Sequence, residues 1–329
     1  MTKRLRVVLR ADAGLLTGTG HVMRCLSLAE ELMSRGHEIF LVTAPFDVSW
    51  LEQLVVESGV SVKSCTAGDL ARETILGLVP DWVVVDSYSI AAEEITALDT
   101  FVPVLAVVDG ETRGVVATIL LDQNLGAEER VNGPAWLAGS QFALVRDAVL
   151  DQRRTDPWRL RGTSRSVLSF MGGTDPHAAS IGVAHALAES VGFDLLLIAP
   201  EPMHDRLARA GRIGTKVIAP TAGLPALLGA ADLVITAAGT SAWDVCALGI
   251  PSIMVAVVDN QQQSLVKVIA GGLALGVDAV RDPNSLSALG GMVDQLLTDE
   301  DLRRSVSIAS ANAFDGFGKS RVADRMEAQ

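Results

Sequence analysis

The chain has 329 residues, of which 49% are hydrophobic and 30 are glycine, and its formal net charge is −12. This length allows two domains of about 150 residues each, and the composition is typical of a globular α/β protein. The acidic balance, without Lys/Arg runs, argues against general binding of nucleic acid or of an anionic membrane.

The first half of the chain predicts alternating strands and helices. Apolar β-branched runs predict the strands, and apolar residues at three- and four-residue spacing predict the helices. The predicted strands are 5–9, 37–43, 60–64, 82–85, 104–108 and 119–121, and the predicted helices are 25–33, 50–57 and 68–78. Continuous apolar runs such as 82–85 suit parallel strands that are covered on both faces.

The stretch from Arg10 to Arg24 contains a glycine loop between the first strand and the first helix. Gly18 and Gly20 permit positive φ or close approach to a ligand, and the unpaired N–H groups of the first helical turn point toward the loop. His21 stands where that helix begins, so the helix dipole disfavours imidazolium and leaves a neutral imidazole suited to general base catalysis. The alternative is a histidine that only caps or packs against the helix.

Polar residues follow three of the predicted strands. They are Asp86-Ser87-Tyr88, Asp109-Gly110 and Asp122-Gln123-Asn124. In open α/β sheets, ligands bind beyond the carboxyl ends of the strands, which is where these clusters fall. Each cluster alone is equally compatible with turns and helix caps, but their recurrence favours a site.

The second half repeats the same alternation after a polar stretch, 146–164, that we interpret as a linker. A second glycine loop with Gly172 and Gly173 follows the first strand of this half. The predicted strands are 166–170, 193–198, 216–218, 233–236 and 251–257, and the predicted helices are 176–189, 224–229, 242–248, one opened by 259–263, 286–297 and 302–309. We therefore expect two domains of repeating β-α units, one over 1–150 and one over 164–311, each of which opens with a glycine loop.

A second candidate site lies at Gly239-Thr240-Ser241, between a strand and a helix. Small residues, hydroxyls and helix N–H groups form a phosphate cradle, and Asp244 is placed to accept hydrogen bonds from a ribose. The alternative is a capping box formed by Ser241 and Asp244. Neither a Walker loop nor a dinucleotide fingerprint is present, which disfavours dehydrogenase chemistry.

Three scattered cysteines, Cys25, Cys65 and Cys246, lie in apolar segments and fit reduced thiols in a cytoplasm. There is no Cys-x-x-Cys pair or His/Cys cluster for structural zinc. No apolar run reaches about 18 residues, and the N-terminus does not read as a signal peptide. We expect a cytoplasmic, monomeric protein without metal or cofactor.

Several short motifs, in chain order, resemble those of one family. They are Arg10-Ala-Asp12, Gly18-Thr-Gly-His-Val-Met-Arg24, Val85-Asp-Ser-Tyr88, Leu121-Asp-Gln-Asn124, Phe170-Met-Gly-Gly-Thr-Asp175, Gly239-Thr-Ser-Ala-Trp-Asp244 with Leu248-Gly-Ile-Pro251, Asp259-Asn-Gln261 and Phe314-Asp-Gly-Phe-Gly-Lys-Ser-Arg-Val322. This set, spread over nearly the whole chain, resembles the UDP-sugar hydrolases of pseudaminic acid biosynthesis.

The resemblance implies a GT-B fold similar to that of the MurG-like glycosyltransferases, with two Rossmann-like domains facing across a cleft. It also implies a C-terminal helix, 312–329, that crosses back to the first domain. The implied reaction releases UDP from UDP-2,4-diacetamido-2,4,6-trideoxy-β-L-altrose, with inversion and without a metal. The implied partners are the UDP-sugar and the UDP product, and not nucleic acid or a membrane.

The resemblance also implies roles for individual residues. His21 matches the histidine that activates water, and Asp244 matches the acid that binds the ribose. The other expected substrate contacts are Arg10, Asp12, Gly18, Gly20, Arg24, Asp86, Tyr88, Asn260 and Gln261, and the other expected nucleotide contacts are Gly172, Gly173, Gly239, Thr240 and Ser241.

Departures from the family pattern concern the sugar more than the fold. The ribose acid is usually Glu in the family, whereas Asp244 is one methylene shorter, and a paired Asp-Asp is Asp109-Gly110 here. Ser87 replaces a bulkier polar residue, and a Tyr-Ala-Leu-Leu-Arg-Pro-Glu-Phe segment is reduced to Phe142-Ala-Leu-Val-Arg-Asp147. Two rivals remain: a GT-B glycosyltransferase that uses a small acceptor, and a non-catalytic nucleotide-sugar binding protein.

Overall fold

A computed structural model describes residues 3–15, 17–129, 135–212 and 214–329. Leu16, in the first glycine loop, lies outside the described residues. The chain divides into two compact units: unit 1 comprises residues 1–147 and 316–329, and unit 2 comprises residues 148–315.

The elements of the described chain are numbered in chain order. They are β1 (Arg6–Ala11), α1 (Gly20–Ser34), β2 (Glu38–Thr43), α2 (Ser49–Glu57), β3 (Ser61–Ser64), α3 (Arg72–Gly77), β4 (Trp82–Asp86), α4 (Ala92–Leu98), β5 (Val104–Val107), β6 (Ile119–Asp122), β7 (Ala135–Ala138), α5 (Asp147–Leu150), β8 (Ser166–Phe170), α6 (Ala179–Ala186), β9 (Asp194–Ile198), α7 (His204–Ala210), β10 (Lys216–Ile218), α8 (Leu224–Ala230), β11 (Leu233–Ala237), α9 (Ser241–Leu248), β12 (Ser252–Ala256), α10 (Asp259–Ala270), β13 (Leu275–Asp278), α11 (Leu289–Thr298), α12 (Glu300–Ala313) and α13 (Gly318–Glu327).

Unit 1 is built on a parallel sheet whose described strands number seven, in the order β3-β2-β1-β4-β5-β6-β7. Its central strands are apolar because both faces are covered. Val7 and Leu9 of β1 pack in one buried cluster, whereas Val8 packs in another on the opposite face. Alternate side chains of one strand thus supply both cores of the unit.

Helix α13 belongs to unit 1 and packs on α1. Val322, Ala323 and Met326 are buried in the same apolar cluster as β1. Gly318 opens the helix at a point where the backbone of Ala143 occupies the space that a Cβ atom would need. The absence of a side chain at Gly318 therefore permits this close approach.

Unit 2 is built on a second parallel sheet, with six described strands in the order β10-β9-β8-β11-β12-β13. An apolar cluster joins one face of this sheet to helices α6, α7 and α11. In the first turn of α9, the Trp243 ring stacks on the Phe314 ring, with ring centroids 4.8 Å apart. The stretch predicted to be a linker is attached to this unit, since the Arg161 backbone N–H donates to Asp232 at 2.8 Å.

The predicted parallel α/β fold is confirmed, and the differences lie mainly at helix starts. Helix α1 begins at Gly20 rather than at 25, so His21 lies inside its first turn. Helices α3 and α6 begin later than predicted because Ala71 and Ala178 have left-handed φ values of 57° and 52°. Strands β7 and β13 and helices α4, α5 and α7 are additional to the predicted elements.

In both sheets, the strand order reverses at a topological switch point. That point lies between β1 and β4 in unit 1, and between β8 and β11 in unit 2. Such points open a crevice beyond the carboxyl ends of the strands, where ligands bind in open α/β sheets. Both predicted glycine loops follow strands at these positions.

Candidate functional site

His21 and Asp86 meet at the switch point of unit 1. Asp86 ends β4 beside Ala11 of β1, and His21 lies in the first turn of α1, which follows β1. The His21 Nδ1 atom is 2.6 Å from Asp86 Oδ1. Because an ionised carboxylate only accepts, Nδ1 carries the proton and the lone pair is on Nε2. Among the described residues, none forms a hydrogen bond with Nε2, so this atom is available as a base.

Arg24, one turn further along α1, holds Asp86 from the other side. Its Nε donates to Asp86 Oδ2 at 2.8 Å and its Nη2 donates to Asp86 Oδ1 at 2.7 Å. The same guanidinium reaches Asp109, which follows β5, with Nη1 donating to its Oδ1 at 2.9 Å. Asp86 is 1% exposed and Arg24 is 3% exposed, so this ion pair is enclosed by protein.

Tyr88 forms the exposed side of the cluster. Its hydroxyl donates a short hydrogen bond to Asp109, and its ring meets the His21 ring edge-on at a centroid distance of 4.7 Å. The Arg113 guanidinium lies 4.8 Å from the centre of the same ring and donates to the Tyr88 and Ser87 carbonyls. Tyr88 is thereby held on both sides, although 48% of it is exposed.

Asn124 closes the cluster on the β6 side. Its Nδ2 donates to Asp109 and to Asp122, at 2.9 Å in each case. The three polar clusters that follow β4, β5 and β6 therefore converge, as their positions at one edge of the sheet predict.

The charges of this cluster are tightly compensated. Burial alone would raise the pKa of Asp86, but the charge of Arg24 and the hydrogen bonds from His21 and Arg24 outweigh it and lower that pKa. The pKa of Asp109 is likewise held far below its ordinary range by Arg24, against the effect of burial. Burial and the Asp109 charge raise the pKa of Tyr88 above its ordinary range. Both carboxyl groups are therefore ionised and Tyr88 is neutral at neutral pH.

Arg10 and Asp12 form a separate network behind the loop. Arg10 is fully buried and donates to Asp12 at 2.7 and 2.8 Å and to the Asp69 carbonyl at 2.6 Å. Asp12 also accepts from the backbone N–H groups of Ala44 and Gly68. These two side chains tie the end of β1 to the loops that follow β2 and β3.

Two glycines of the first glycine loop pair with each other. Gly14 and Gly18 exchange backbone hydrogen bonds of 3.2 and 2.8 Å, and Gly18 has a φ of 76°. Leu15, between these glycines, is 58% exposed. Gly20 is the first residue of α1 and is half-buried. The loop thus carries an exposed apolar side chain within six residues of His21.

In unit 2, the loop Gly239-Thr240-Ser241 connects β11 to α9 and is half-buried. Thr240, rather than Ser241, is the N-cap residue, and its side chain makes no capping bond. No acceptor among the described residues takes the backbone N–H groups of these three residues. Donors of this kind at a helix start attract anions. Asp244 lies half-buried in the first turn of the same helix.

Gln261 lies over this loop. Its Nε2 is 3.3 Å from where a Cβ atom of Gly239 would stand, and its Oε1 accepts from the Val257 N–H at 2.9 Å. Asn260, one residue earlier on α10, is exposed. The structure thus brings the predicted Gly239 and Gln261 together, beyond the adjacent strands β11 and β12.

The second glycine loop differs from the Gly239 loop. Gly172 and Gly173 follow β8, the neighbour of β11. The N–H groups at the start of the next helix, α6, already have an acceptor from the chain. Asp175 accepts from the N–H groups of Ala179 and Ser180 at 2.9 and 3.1 Å. A carboxylate of the chain itself therefore accepts from the N–H groups at the start of α6, whereas no carboxylate among the described residues accepts from those at the start of α9.

The unit 1 cluster also includes residues that were not predicted to contact the substrate, namely Asp109, Asp122, Asn124 and Arg113. Asp109 and Asn124 belong to strand-end clusters that the sequence indicates, whereas Arg113 carries no such signal. In the part of the chain that the structure describes, no group of three or more His, Cys, Asp or Glu side chains is arranged to bind a metal ion. No helix in the described ranges is long and apolar enough to cross a membrane.

No family model matches the chain. An uncharacterized protein of Methanocaldococcus jannaschii is 21% identical over 272 residues, which cover 76% of this chain and 55% of that protein. The chain thus spans about half the length of this curated relative.

Solved glycosyltransferase structures align with the whole chain. MurG of Acinetobacter baumannii is 16% identical with a TM-score of 0.66, over 99% of this chain and 100% of that one. Spinosyn rhamnosyltransferase SpnG is 16% identical with a TM-score of 0.69, over 99% and 100%. Calicheamicin glycosyltransferase CalG4 is 18% identical with a TM-score of 0.66, over 99% and 98%.

The chain has a GT-B fold. Its two parallel α/β units match those of these structures, as the sequence motifs predict. At this level of identity, the comparison concerns the fold, and the chemistry has to be argued from the chain's own residues.

Proposed function

We propose that this chain is a nucleotide-sugar enzyme that displaces a nucleoside diphosphate from the anomeric carbon of a sugar. The observation that carries this proposal is the buried pair of His21 and Asp86, with Nδ1 and Oδ1 2.6 Å apart. Because the carboxylate accepts from Nδ1, the lone pair of a neutral His21 imidazole is on Nε2. A histidine oriented by a carboxylate is an effective general base near neutral pH.

Unit 2 would bind the leaving group. The N–H groups of Gly239, Thr240 and Ser241 are suited to diphosphate oxygens, and Asp244 to the ribose hydroxyls. Spinosyn rhamnosyltransferase SpnG, which shares the fold, has been solved with thymidine diphosphate. We infer that this loop, rather than the α6 start capped by Asp175, holds the diphosphate, while Gly172 and Gly173 line the neighbouring strand end.

The proposed step is a single displacement. Nε2 of His21 takes a proton from the nucleophile, whose oxygen forms a bond to the anomeric carbon as the bond from that carbon to the diphosphate oxygen breaks. The electron pair leaves with the nucleoside diphosphate, whose growing negative charge is stabilised by the loop N–H groups. Attack opposite the leaving group inverts the anomeric centre.

The proposed contacts divide into two groups. Tyr88, Gly18, Gly20, Asn260 and Gln261 are half-buried or exposed and can face the sugar and phosphates. Arg10, Arg24 and Asp86 are enclosed, so they are proposed to act by holding the loop and the base rather than by touching the substrate. Asp12 is half-buried and is proposed to share the loop-holding role of Arg10.

Water is the nucleophile in our preferred version of the reaction, which makes the chain a UDP-sugar hydrolase. The support is the ordered set of motifs from Arg10 to Val322 that resembles the hydrolases of pseudaminic acid biosynthesis. The proposed substrate is a UDP-linked diacetamido-trideoxy-hexose, and the proposed products are UDP and the free sugar.

A second candidate is transfer of the sugar to a small acceptor. The aligned solved structures are of glycosyltransferases, which favours this version. Leu15 is exposed on the loop that leads into α1 and offers an apolar surface. Such a surface can contact an acceptor molecule, whereas hydrolysis by water does not require it. The same base would then deprotonate an acceptor hydroxyl or amine.

The test is incubation of the purified chain with UDP- and dTDP-linked diacetamido-trideoxy sugars in oxygen-18 water, followed by mass spectrometry. Label in the free sugar supports the hydrolase. Turnover only after addition of a hydroxyl- or amine-bearing acceptor contradicts hydrolysis and supports the transferase. Tight nucleotide-sugar binding without turnover under either condition contradicts both and leaves a binding protein.

A further inference from the structure

We propose that Asp109 is a positioning residue that neutralises Arg24, so that the negative charge of Asp86 remains available to stabilise the His21 imidazolium. This inference rests on the proposed function of His21 as a base. Asp109 follows β5, the neighbour of β4, and lies outside the set of residues predicted to contact the substrate.

Arg24 donates hydrogen bonds to both Asp86 and Asp109. Beyond its two bonds to Asp86, Nη1 donates to both Asp109 oxygens at 2.9 and 3.2 Å, and Nη2 donates to Asp109 Oδ2 at 3.2 Å. All three guanidinium nitrogens thus donate to two carboxylates, with the cation between two anions. An arginine shared in this way is neutralised from both sides.

Arg24 also lies close to the imidazole of His21. Arg24 Nη2 lies 3.2 Å from His21 Nδ1. A cation this close opposes formation of an imidazolium. If Arg24 were paired with Asp86 alone, that buried pair would be neutral, and protonation of His21 would add a positive charge that no carboxylate of the cluster compensates.

The net charge of the cluster determines how easily His21 is protonated. With His21 neutral, Asp86, Asp109 and Arg24 together carry one net negative charge, and protonation of His21 brings the group to zero. Without the Asp109 charge, the same protonation brings the group to one net positive charge in a buried setting. Burying an unbalanced charge is costly, so Asp109 favours the imidazolium that forms when the base takes its proton.

Groups from several elements surround His21. Arg24 lies on its own helix, Asp86 and Tyr88 come from the end of β4, and Asp109 comes from the end of β5. Arg113 faces the far side of the Tyr88 ring. Arg113 is exposed, so solvent weakens its effect on His21, whereas Asp109 acts through buried Arg24.

A purely structural role for Asp109 is the competing explanation, since Asp109 also accepts hydrogen bonds from Tyr88 and Asn124. Two variants separate charge from contact. Asp109→Asn keeps the shape and removes the charge, whereas Tyr88→Phe breaks one hydrogen bond and leaves every charge in place. Asp99→Asn removes a carboxylate that bonds to Val104 and Thr118, elsewhere in unit 1, and serves as the control.

The deciding measurement is ring-nitrogen NMR of His21 over a pH series in the full chain, with its signal assigned by its loss in His21→Ala. In Asp109→Asn, we expect the ring to take up its second proton at a pH lower by about one unit or more. In Tyr88→Phe and Asp99→Asn, we expect little change. No shift in Asp109→Asn, or an equal shift in Tyr88→Phe, overturns the inference.

Ionisation of Tyr88 checks the contact itself. Tyr88 is the single tyrosine of the chain, so ultraviolet difference absorbance reports its phenolate alone. Tyrosinate should form at lower pH in Asp109→Asn than in the unaltered chain. If it forms at the same pH, Asp109 does not face Tyr88 and the geometry behind the inference is wrong.

Turnover separates this inference from the proposed function. If the enzyme is active, the acid limb of its rate–pH profile should move to lower pH in Asp109→Asn, and the maximal rate should fall by about tenfold or more. If the NMR shift is found but no nucleotide sugar is turned over, the charge role of Asp109 stands and the proposed function fails. An active enzyme whose Asp109→Asn variant keeps the original profile overturns the inference alone.

Discussion

Replacement of Arg24 by Met should strongly destabilise unit 1. Arg24 is 3% exposed and is the cation shared by Asp86 and Asp109. Its removal leaves Asp86, 1% exposed, with His21 as its remaining partner in the cluster. Breaking a buried ion pair by removal of one partner costs about 3 to 5 kcal/mol, and we expect a loss of this size in the free energy of opening of β1 and β4 near neutral pH.

The loss should depend on pH with a defined sign. The pKa values of Asp86 and Asp109 are lowered in the folded chain, so their stabilising contribution is present above the unfolded value of about 4 and is lost as the pH falls through the folded pKa. In the variant, the unpaired buried carboxyl groups favour protonation. The difference between the two proteins should therefore be largest near pH 7 and shrink toward about pH 4.5.

Hydrogen–deuterium exchange of peptides from β1 and β4 measures the free energy of opening for this unit alone. The matched control is Arg35→Met on the same helix, because Arg35 is 20% exposed and pairs with Glu31, Asp324 and Glu327 near the surface. We expect the control to lose about 1 kcal/mol or less. Equal losses in the two variants, or a loss in Arg24→Met that does not shrink in acid, would refute the reasoning.

Three further predictions follow from single positions. Gly239→Val should weaken UDP binding, measured by calorimetry, by about tenfold or more because its side chain enters the space beside Gln261; unchanged affinity contradicts the cradle. Gly318→Ala should destabilise docking of α13 by about 1 to 3 kcal/mol, because the Ala143 backbone occupies the Cβ position; exchange of α13 amides at the original rate argues against this packing. In the unaltered chain, Tyr88 should stay protonated throughout the ordinary tyrosine range, because burial and Asp109 raise its pKa; phenolate absorbance within that range contradicts the described cluster.

The fold could be predicted from the sequence because apolar runs and amphipathic segments alternate along most of the chain. Strands such as β4 and β5 are largely apolar runs followed closely by polar residues, and the structure has them at nearly the predicted bounds. Short elements at the sheet edges were not predictable in this way. Strand β13, which contains Gly276 and ends in Asp278, lacks the apolar pattern and depends on pairing with β12.

The candidate site was predictable as a region but not as a network. His21, Asp86 and Asp109 each stand near a predicted strand end, which is a local signal. Arg24 joins Asp86 to Asp109 because the strand order β1-β4-β5 places the ends of β4 and β5 near the start of α1. Asp86 is 62 positions and Asp109 is 85 positions after Arg24 in the chain, yet both bind its guanidinium. No local pattern encodes that order.

Burial of charged residues is the other feature that local reasoning missed. The family resemblance implies that Arg10 is a substrate contact, yet its side chain is fully buried. Its donors are taken by Asp12 and by the Asp69 carbonyl, from a loop far along the chain. A buried arginine needs such partners, and they become visible only in three dimensions.

The central claim is that His21 is the base that activates the nucleophile against a nucleotide sugar. The most direct measurement compares nucleotide release at saturating UDP-sugar by the unaltered chain, by His21→Ala and by His185→Ala, with UDP affinity measured on the same samples. His185 lies exposed on α6 of unit 2 and serves as the matched control. We expect His21→Ala to lose about a hundredfold or more of the rate with UDP affinity intact, and His185→Ala to lose neither. Release by His21→Ala at the original rate would contradict the claim.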